Sequence, residues 1–157
     1  MKVYIAAPYA ARSIAKSYAE ELATIGIECT STWVTETTTI DNQSTGAATG
    51  LDDEQVRQHV TTDLRDIDRA DVLVHLTAKH VWHNMGISYT SSIVPALNSG
   101  GRHIELGYAI ARTKFIVNVG APENVFHRGR ANSVPDWKSA MHKLVQIEEW
   151  FTREDDQ

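Results

Sequence analysis

The chain has a single cysteine, Cys29, among its 157 residues. No disulfide within the chain is therefore available to staple the fold, and nothing calls for an oxidising compartment. The N-terminus, MKVYIAAPYAARS, holds too short an apolar stretch for a signal peptide or a membrane span. A cytoplasmic protein with no membrane partner is the expectation. Acids and bases are mixed along the chain, giving a formal net charge of −5 with no basic run. A polyanionic backbone would have nothing to follow, which excludes polymeric nucleic acid as a partner. GxxxxGK[ST], GxGxxG and GxSxG are all absent, so an NTPase, a dinucleotide oxidoreductase and a serine hydrolase have no support. His80 and His83 flank Trp82, but no third histidine, cysteine or acid completes a recognised ligand spacing. No metal and no cofactor are expected. There is no internal repeat.

What is present fits one globular domain, because 42% hydrophobic content over this length buries a sizeable core unaided. Residues 1–152 are read as that domain and residues 153–157 as an acidic, frayed tail. Lys2 to Ala7 reads as a buried strand that Pro8 stops, and Ile14, Tyr18, Leu22 and Ile25 mark a helix capped by Gly26. Ile27 to Trp33 reads as a second strand, and residues 35–50 as a long loop without apolar period. A helix is expected from Asp53 to Arg69, a core strand from Asp71 to Thr77, and another long connection over residues 78–99. The helix containing Glu105 leads into a strand from Lys114 to Val119. A short strand at Asn132 to Val134 and a final helix from Asp136 to Phe151 complete the pattern.

Strands and helices that alternate in this way imply an α/β fold: a parallel sheet covered by helices on both faces. Ligands in such sheets bind beyond the strand C-terminal ends. That rule brings Ala7, Pro8 and Tyr9, the loop at Thr77 and the start of the Glu105 helix onto one rim.

Among the residues on that rim, Glu105 stands out. It follows Gly100 and Gly101 and precedes Gly107, and side chains missing at these positions would let a ligand come close. At a helix start, unpaired N–H groups and the helix dipole favour an ionised acid, so Glu105 is expected to be a carboxylate at neutral pH, able to act as a nucleophile. In the Asp53–Arg69 helix, Val56, Val60, Leu64 and Ile67 form one stripe with Asp63 at its edge, while Asp66 points toward solvent. An acid bordering a buried face needs a partner or a pocket, which favours Asp63 over Asp66, Asp68 and Asp71. His75, within a strand, reads as a core histidine. Arg102 and His103 flank Glu105, and the sequence does not decide whether either points into the pocket.

Three segments now stand in order: Val3-Tyr4-Ile5-Ala6-Ala7-Pro8-Tyr9, then Asp63-Leu64-Arg65-Asp66-Ile67-Asp68-Arg69-Ala70-Asp71, and finally Gly100-Gly101-Arg102-His103-Ile104-Glu105-Leu106-Gly107-Tyr108-Ala109. Together they resemble the nucleoside 2-deoxyribosyltransferase family, which also contains the 2'-deoxynucleoside 5'-monophosphate N-hydrolases. Pro122-Glu123-Asn124-Val125-Phe126-His127 also looks like sequence common after the fourth strand in this group. The resemblance implies a single-domain, flavodoxin-like three-layer fold on a five-stranded parallel sheet. It further implies cleavage of the N-glycosidic bond of a deoxynucleoside or its 5'-monophosphate through a covalent deoxyribosyl intermediate, released to water or to a second base. On this match Glu105 is the nucleophile, Asp63 the acid beside sugar and base, and Tyr4 the hydroxyl that holds the nucleophile. Ala7, Pro8, Tyr9, Ser99, Gly100 and Gly101 are the expected substrate contacts, joined by Arg12 and Arg102 as cations able to meet a phosphate. Ser99 stands where monophosphate hydrolases place a phosphate-binding serine, whereas Pro8-Tyr9 looks closer to the transferases and Pro8 lacks an N–H for phosphate. A homodimer or larger homo-oligomer is implied as well. The alternative is a nucleotide-binding sensor module of the same fold that has lost turnover.

Overall fold

A computed structural model describes residues 1–36, 52–87 and 100–154. At its centre is a five-stranded sheet of order β2-β1-β3-β4-β5, formed by β1 (Lys2–Ala6), β2 (Glu28–Cys29), β3 (Val72–Leu76), β4 (Phe115–Val119) and β5 (Asn132–Val134), with every pairing parallel. This order is that of flavodoxin-like folds, the fold that the family resemblance implies. Among the described residues six α-helices cover it: α1 (Arg12–Thr24), α2 (Asp53–Arg69), α3 (Ala78–Asn84), α4 (Gly101–Ala111), α5 (Val125–Arg130) and α6 (Trp137–Glu154). None of the described helices is long and apolar enough to cross a membrane.

The register assigns side chains to faces. Tyr4 pairs with Leu73, Ala6 with His75, Leu73 with Ile116 and His75 with Asn118. Because alternate residues of a strand point to opposite sides, these six share one face, and Val3, Ile5, Val72, Val74, Leu76, Val117 and Val119 share the other. The all-apolar face carries α1 and α6, whose Tyr18 and Trp137 rings stack at 3.9 Å between centroids. Phe115, at the base of β4, meets the rings of Trp150 and Phe151 of α6 edge-on. The face with Tyr4 carries α2 and α4.

α2 begins and ends where expected. Asp52 and Gln55 form a reciprocal capping box at its start, satisfying two of the N–H groups that a helix leaves open. Its apolar stripe is buried only in the second half. Ile67 is fully buried, but Val56 and Val60 are 38% and 54% exposed, with no cover among the described residues. Asp66 reverses the expectation of a solvent-facing acid: it is fully buried, and one oxygen accepts the Thr32 N–H at 3.0 Å and the Thr32 hydroxyl at 2.7 Å.

That carboxylate also explains why the second strand is short. Only Glu28 and Cys29 pair with β1, and Thr32–Thr35 turns into a single 3-10 turn held by Asp66. Beyond the ladder, the Ile5 N–H is taken by the Ser31 hydroxyl at 2.7 Å and the Ile5 carbonyl by the Trp33 indole N–H at 3.0 Å. Side chains thus satisfy the β1 groups that a longer β2 would have bonded.

Two helices were not expected from sequence. α3 occupies the start of the segment read as a connection, with Thr77 as its N-cap. α5 is started by Asn124, whose side chain accepts the N–H groups of Phe126 and His127. The last helix continues through Arg153 to Glu154. Residues 37–51 and 88–99, which make up most of the two long loops, and the end of the acidic tail at 155–157 lie outside the described residues.

Candidate active site

Tyr4 stands in the middle of β1, fully buried, and its hydroxyl donates to Glu105 Oε1 at 3.0 Å. The link joins two residues a hundred positions apart because α4 lies across the Tyr4 face of the sheet. α2 brings Asp63 to the same place, where its charge raises the pKa of both Glu105 and Tyr4. The two helices are tied at their far ends by Asp68, which accepts from Arg112 Nε at 2.6 Å and from the Tyr108 hydroxyl at 3.0 Å. The structure therefore brings together Tyr4, Asp63 and Glu105, the three residues singled out for chemistry.

The electrostatics differ from expectation. α4 starts at Gly101, so Glu105 lies in its second turn, beyond the N–H groups left open at the helix end. Its Oε2 is buried without a partner. Burial, then the neighbouring Asp63 charge, pushes the Glu105 carboxyl up to about 8, against the lowering effects of the Tyr4 hydroxyl and Arg102. Asp63 is pushed up to about 7 by burial and by the charges of Glu36 and Asp66. Burial and the same acids hold the Tyr4 phenol well above its usual range.

The glycines around Glu105 are not set by protein packing. A Cβ added at Gly100, Gly101 or Gly107 would meet nothing within 4 Å among the described residues, which leaves room beside Glu105 there. The glycine that cannot be replaced is Gly120, at φ +99° after β4, where a Cβ would stand 2.2 Å from the Thr77 hydroxyl.

Of the proposed substrate contacts, Ala7, Pro8 and Tyr9 follow β1 at the C-terminal rim. Arg12 opens α1, donating to the Tyr9 hydroxyl at 2.8 Å and to the Glu36 carbonyl. Trp33, which the sequence places in a strand, is buried in the core and stands 6.3 Å from Tyr9 between ring centroids. Arg102 is buried, with Nη2 3.2 Å from Glu123 Oε2; it reaches the Glu123 loop as well as the charge of Glu105. Ser99 lies outside the described residues.

Two further groups were missed or read differently. His75, expected to be a satisfied core histidine, has only one nitrogen bonded, Nδ1 at 3.1 Å from Asn118 Oδ1, while Nε2 is buried and unpartnered. It meets His103, His127 and Glu123, a set capable of holding a cation. Burial, before the neighbouring positive groups, holds the His75 imidazole well below its usual pKa and lowers those of His103 and His127. No spacing rule would have found this set, because it joins β3, α4 and the loop leading into α5. His80 and His83, by contrast, form no ligand set among the described residues; His80 bonds the Tyr18 hydroxyl at 2.9 Å. On the opposite face, a cleft of about 770 Å³ is lined by Tyr18, His80, His83, Asp136 and Trp137 among others. None of Tyr4, Asp63 and Glu105 borders it.

Comparison with solved structures gives the fold its relatives. A 2-deoxyribosyltransferase from Bacillus psychrosaccharolyticus superposes with a TM-score of 0.58 at 17% identity, covering 89% of this chain and 90% of that one. A CMP N-glycosidase from Clostridium botulinum superposes with a TM-score of 0.51 at 18% identity, covering 93% of this chain and 99% of that one. The chain shares their fold. No protein-family model and no curated protein sequence matches it.

Proposed function

We propose that this protein cleaves the N-glycosidic bond of a 2'-deoxynucleoside or its 5'-monophosphate, with Glu105 as nucleophile. The observation that carries this reading is the Tyr4 hydroxyl bonded at 3.0 Å to one oxygen of Glu105 while the other, Oε2, is buried without a partner. One oxygen is held and the other is left for an electrophile. The likeness in fold to a deoxyribosyltransferase and a nucleotide N-glycosidase, and the resemblance of three sequence segments to that family, support the same reading.

In the reaction, Glu105 Oε2 attacks C1' as the bond from C1' to the base nitrogen breaks, through a transition state with positive charge on the sugar ring. Absence of the 2'-hydroxyl makes that charge easier to bear. The bonding electrons leave with the base, and a proton from Asp63 neutralises it. Water or a second base then attacks C1', losing its proton to the Asp63 carboxylate, and frees the Glu105 carboxylate, which completes overall retention. The productive state therefore has Glu105 ionised and Asp63 protonated. The raised values, about 8 and about 7, make it a minority form of the resting pair near neutrality. Tyr9 is a proposed substrate contact after β1, and Arg12, Arg102 and Ser99 are the proposed contacts for a 5'-phosphate. We further propose a cytoplasmic homodimer.

The test is incubation with deoxycytidine, deoxyuridine, their 5'-monophosphates and deoxyguanosine monophosphate, with and without a second base, following free base and exchanged nucleoside. Turnover of at least one substrate that disappears in Glu105→Ala is the expected result. Thermal stabilisation by these ligands with no product would instead identify a sensor module.

A further inference from the structure

Behind Arg102, three imidazoles and a carboxylate converge on the Tyr4 face of the sheet. His75 of β3, His103 of α4, His127 of α5 and Glu123 in the loop before α5 each offer one ligand atom, and these atoms lie within 4.8 Å of one another. Ring centroids are 4.5 Å apart for His75 and His127, 5.3 Å for His75 and His103, and 5.7 Å for His103 and His127. His75 and His127 are fully buried.

The hydrogen bonds fix which nitrogens of His75 and His127 carry protons. Asn118 Nδ2 donates to the Gly120 carbonyl at 3.0 Å, so its Oδ1 is the atom facing His75 Nδ1 at 3.1 Å. His75 Nδ1 must donate, and Nε2 is left as a bare lone pair, buried and without a partner. His103 Nε2 stands 3.8 Å from Glu123 Oε2, beyond hydrogen-bond reach, and its Nδ1 is buried and unpartnered. His127 is the reverse case. Its Nδ1 accepts the Glu123 N–H at 3.0 Å, so the neutral ring carries its proton on Nε2, which again has no partner.

Among the described residues, three ring nitrogens here are buried without a partner, while the Glu123 carboxylate beside them is held by the Arg102 guanidinium at 3.2 Å and by the Ala78 N–H at 2.7 Å. One occupant satisfies all of them. We propose that His75, His103 and Glu123 bind a divalent transition-metal ion of the zinc class, with a water in the fourth position accepting from His127 Nε2–H. Two imidazoles and one carboxylate are a zinc-type donor set with an open position, and the Asn118 bond to His75 is the usual outer support for such a ligand. Tetrahedral zinc ligands stand about 3.4 Å apart, so side-chain rotation of roughly an ångström closes the set. The half-exposed His103 can provide it, with Glu123 in its loop.

This site is separate from the glycosidic chemistry proposed above, because none of its four residues takes part in that reaction. The test uses the metal alone. Chelator-treated protein is titrated with Co²⁺ while visible absorption is recorded, then with Zn²⁺. Expected are one equivalent of Co²⁺ bound with tetrahedral d–d bands, displacement by Zn²⁺, and a rise in Tm of about 5 °C or more at saturating Zn²⁺. His103→Ala and the bulkier His103→Gln should each weaken binding about 100-fold, while Glu105→Gln and His83→Ala leave it unchanged. Absence of binding in folded wild-type protein overturns the proposal, as does undiminished binding in both His103 variants. Because Glu105→Gln keeps the metal but not the turnover, failure of the metal site and failure of the glycosidase reading give different results.

Discussion

The two faces of one sheet follow opposite rules. On the side of α1 and α6, the strands present Val3, Ile5, Val72, Val74, Leu76, Val117 and Val119, and the helices answer with Tyr18, Leu22, Trp137 and Leu144. On the side of α2 and α4, the same strands present Tyr4, His75 and Asn118 among smaller apolar residues, and the helices answer with Asp63, Arg102 and Glu105. The first face contributes stability by removing hydrocarbon from water. The second gives some of it back, since it holds an unpaired carboxylate oxygen and three unpaired imidazole nitrogens away from solvent. A single β-ladder can therefore carry a scaffold and a strained polar site back to back, each built from every second residue.

The largest test of this division is Glu105→Gln. Turnover should fall by more than about 10³-fold. The folded-state pKa of Glu105 lies near 8, above its unfolded value, so the native state holds the extra proton between about pH 4 and 8 and loses stability as pH rises through that window. The variant should therefore be more stable than wild type at pH 8 by about 1–2 kcal/mol, with a flatter dependence of Tm on pH. A loss of stability would sink the idea that this face is strained.

On the hydrocarbon face, Leu144→Ala removes a fully buried side chain and should cost about 2–5 kcal/mol in denaturant unfolding. kcat measured below the transition should stay within about threefold of wild type.

Asp63→Asn and Tyr4→Phe sharpen the comparison because they act on Glu105 with opposite sign. Asp63 raises the Glu105 pKa by its charge, so Asp63→Asn should move the acidic limb of kcat/KM to lower pH, with a loss of about 10²-fold from the missing proton donor. The Tyr4 hydroxyl lowers that pKa, so Tyr4→Phe should move the same limb to higher pH, with a loss of about tenfold. Limbs that move together would mean that another group titrates.

Much of the scaffold was legible in sequence. The 3.6-residue period gave α2 its boundaries, and alternating strands and helices gave the parallel sheet and its rim, because both signals are local. Asp63 and Glu105 stand out by their place in the pattern and Tyr4 by the family resemblance, and the fold brings the three together. What failed to read depends on contacts between segments. Asp66 escaped because its partner, Thr32, lies 34 positions earlier, and the same bond cut short a strand that propensity favoured. The charge state of Glu105 was misjudged because the helix starts four residues before it and burial outweighs the dipole. The histidine set was invisible for the same reason, as its members come from three different segments.

The short β2 has a consequence for how this molecule behaves in a crowded solution. A strand left half without a neighbour offers its amides to any extended peptide that drifts past, which is how sheets grow into fibres. Here the hydroxyl of Ser31 and the indole of Trp33 already occupy the Ile5 positions, so the gap is closed to outsiders by two side chains rather than by another length of backbone.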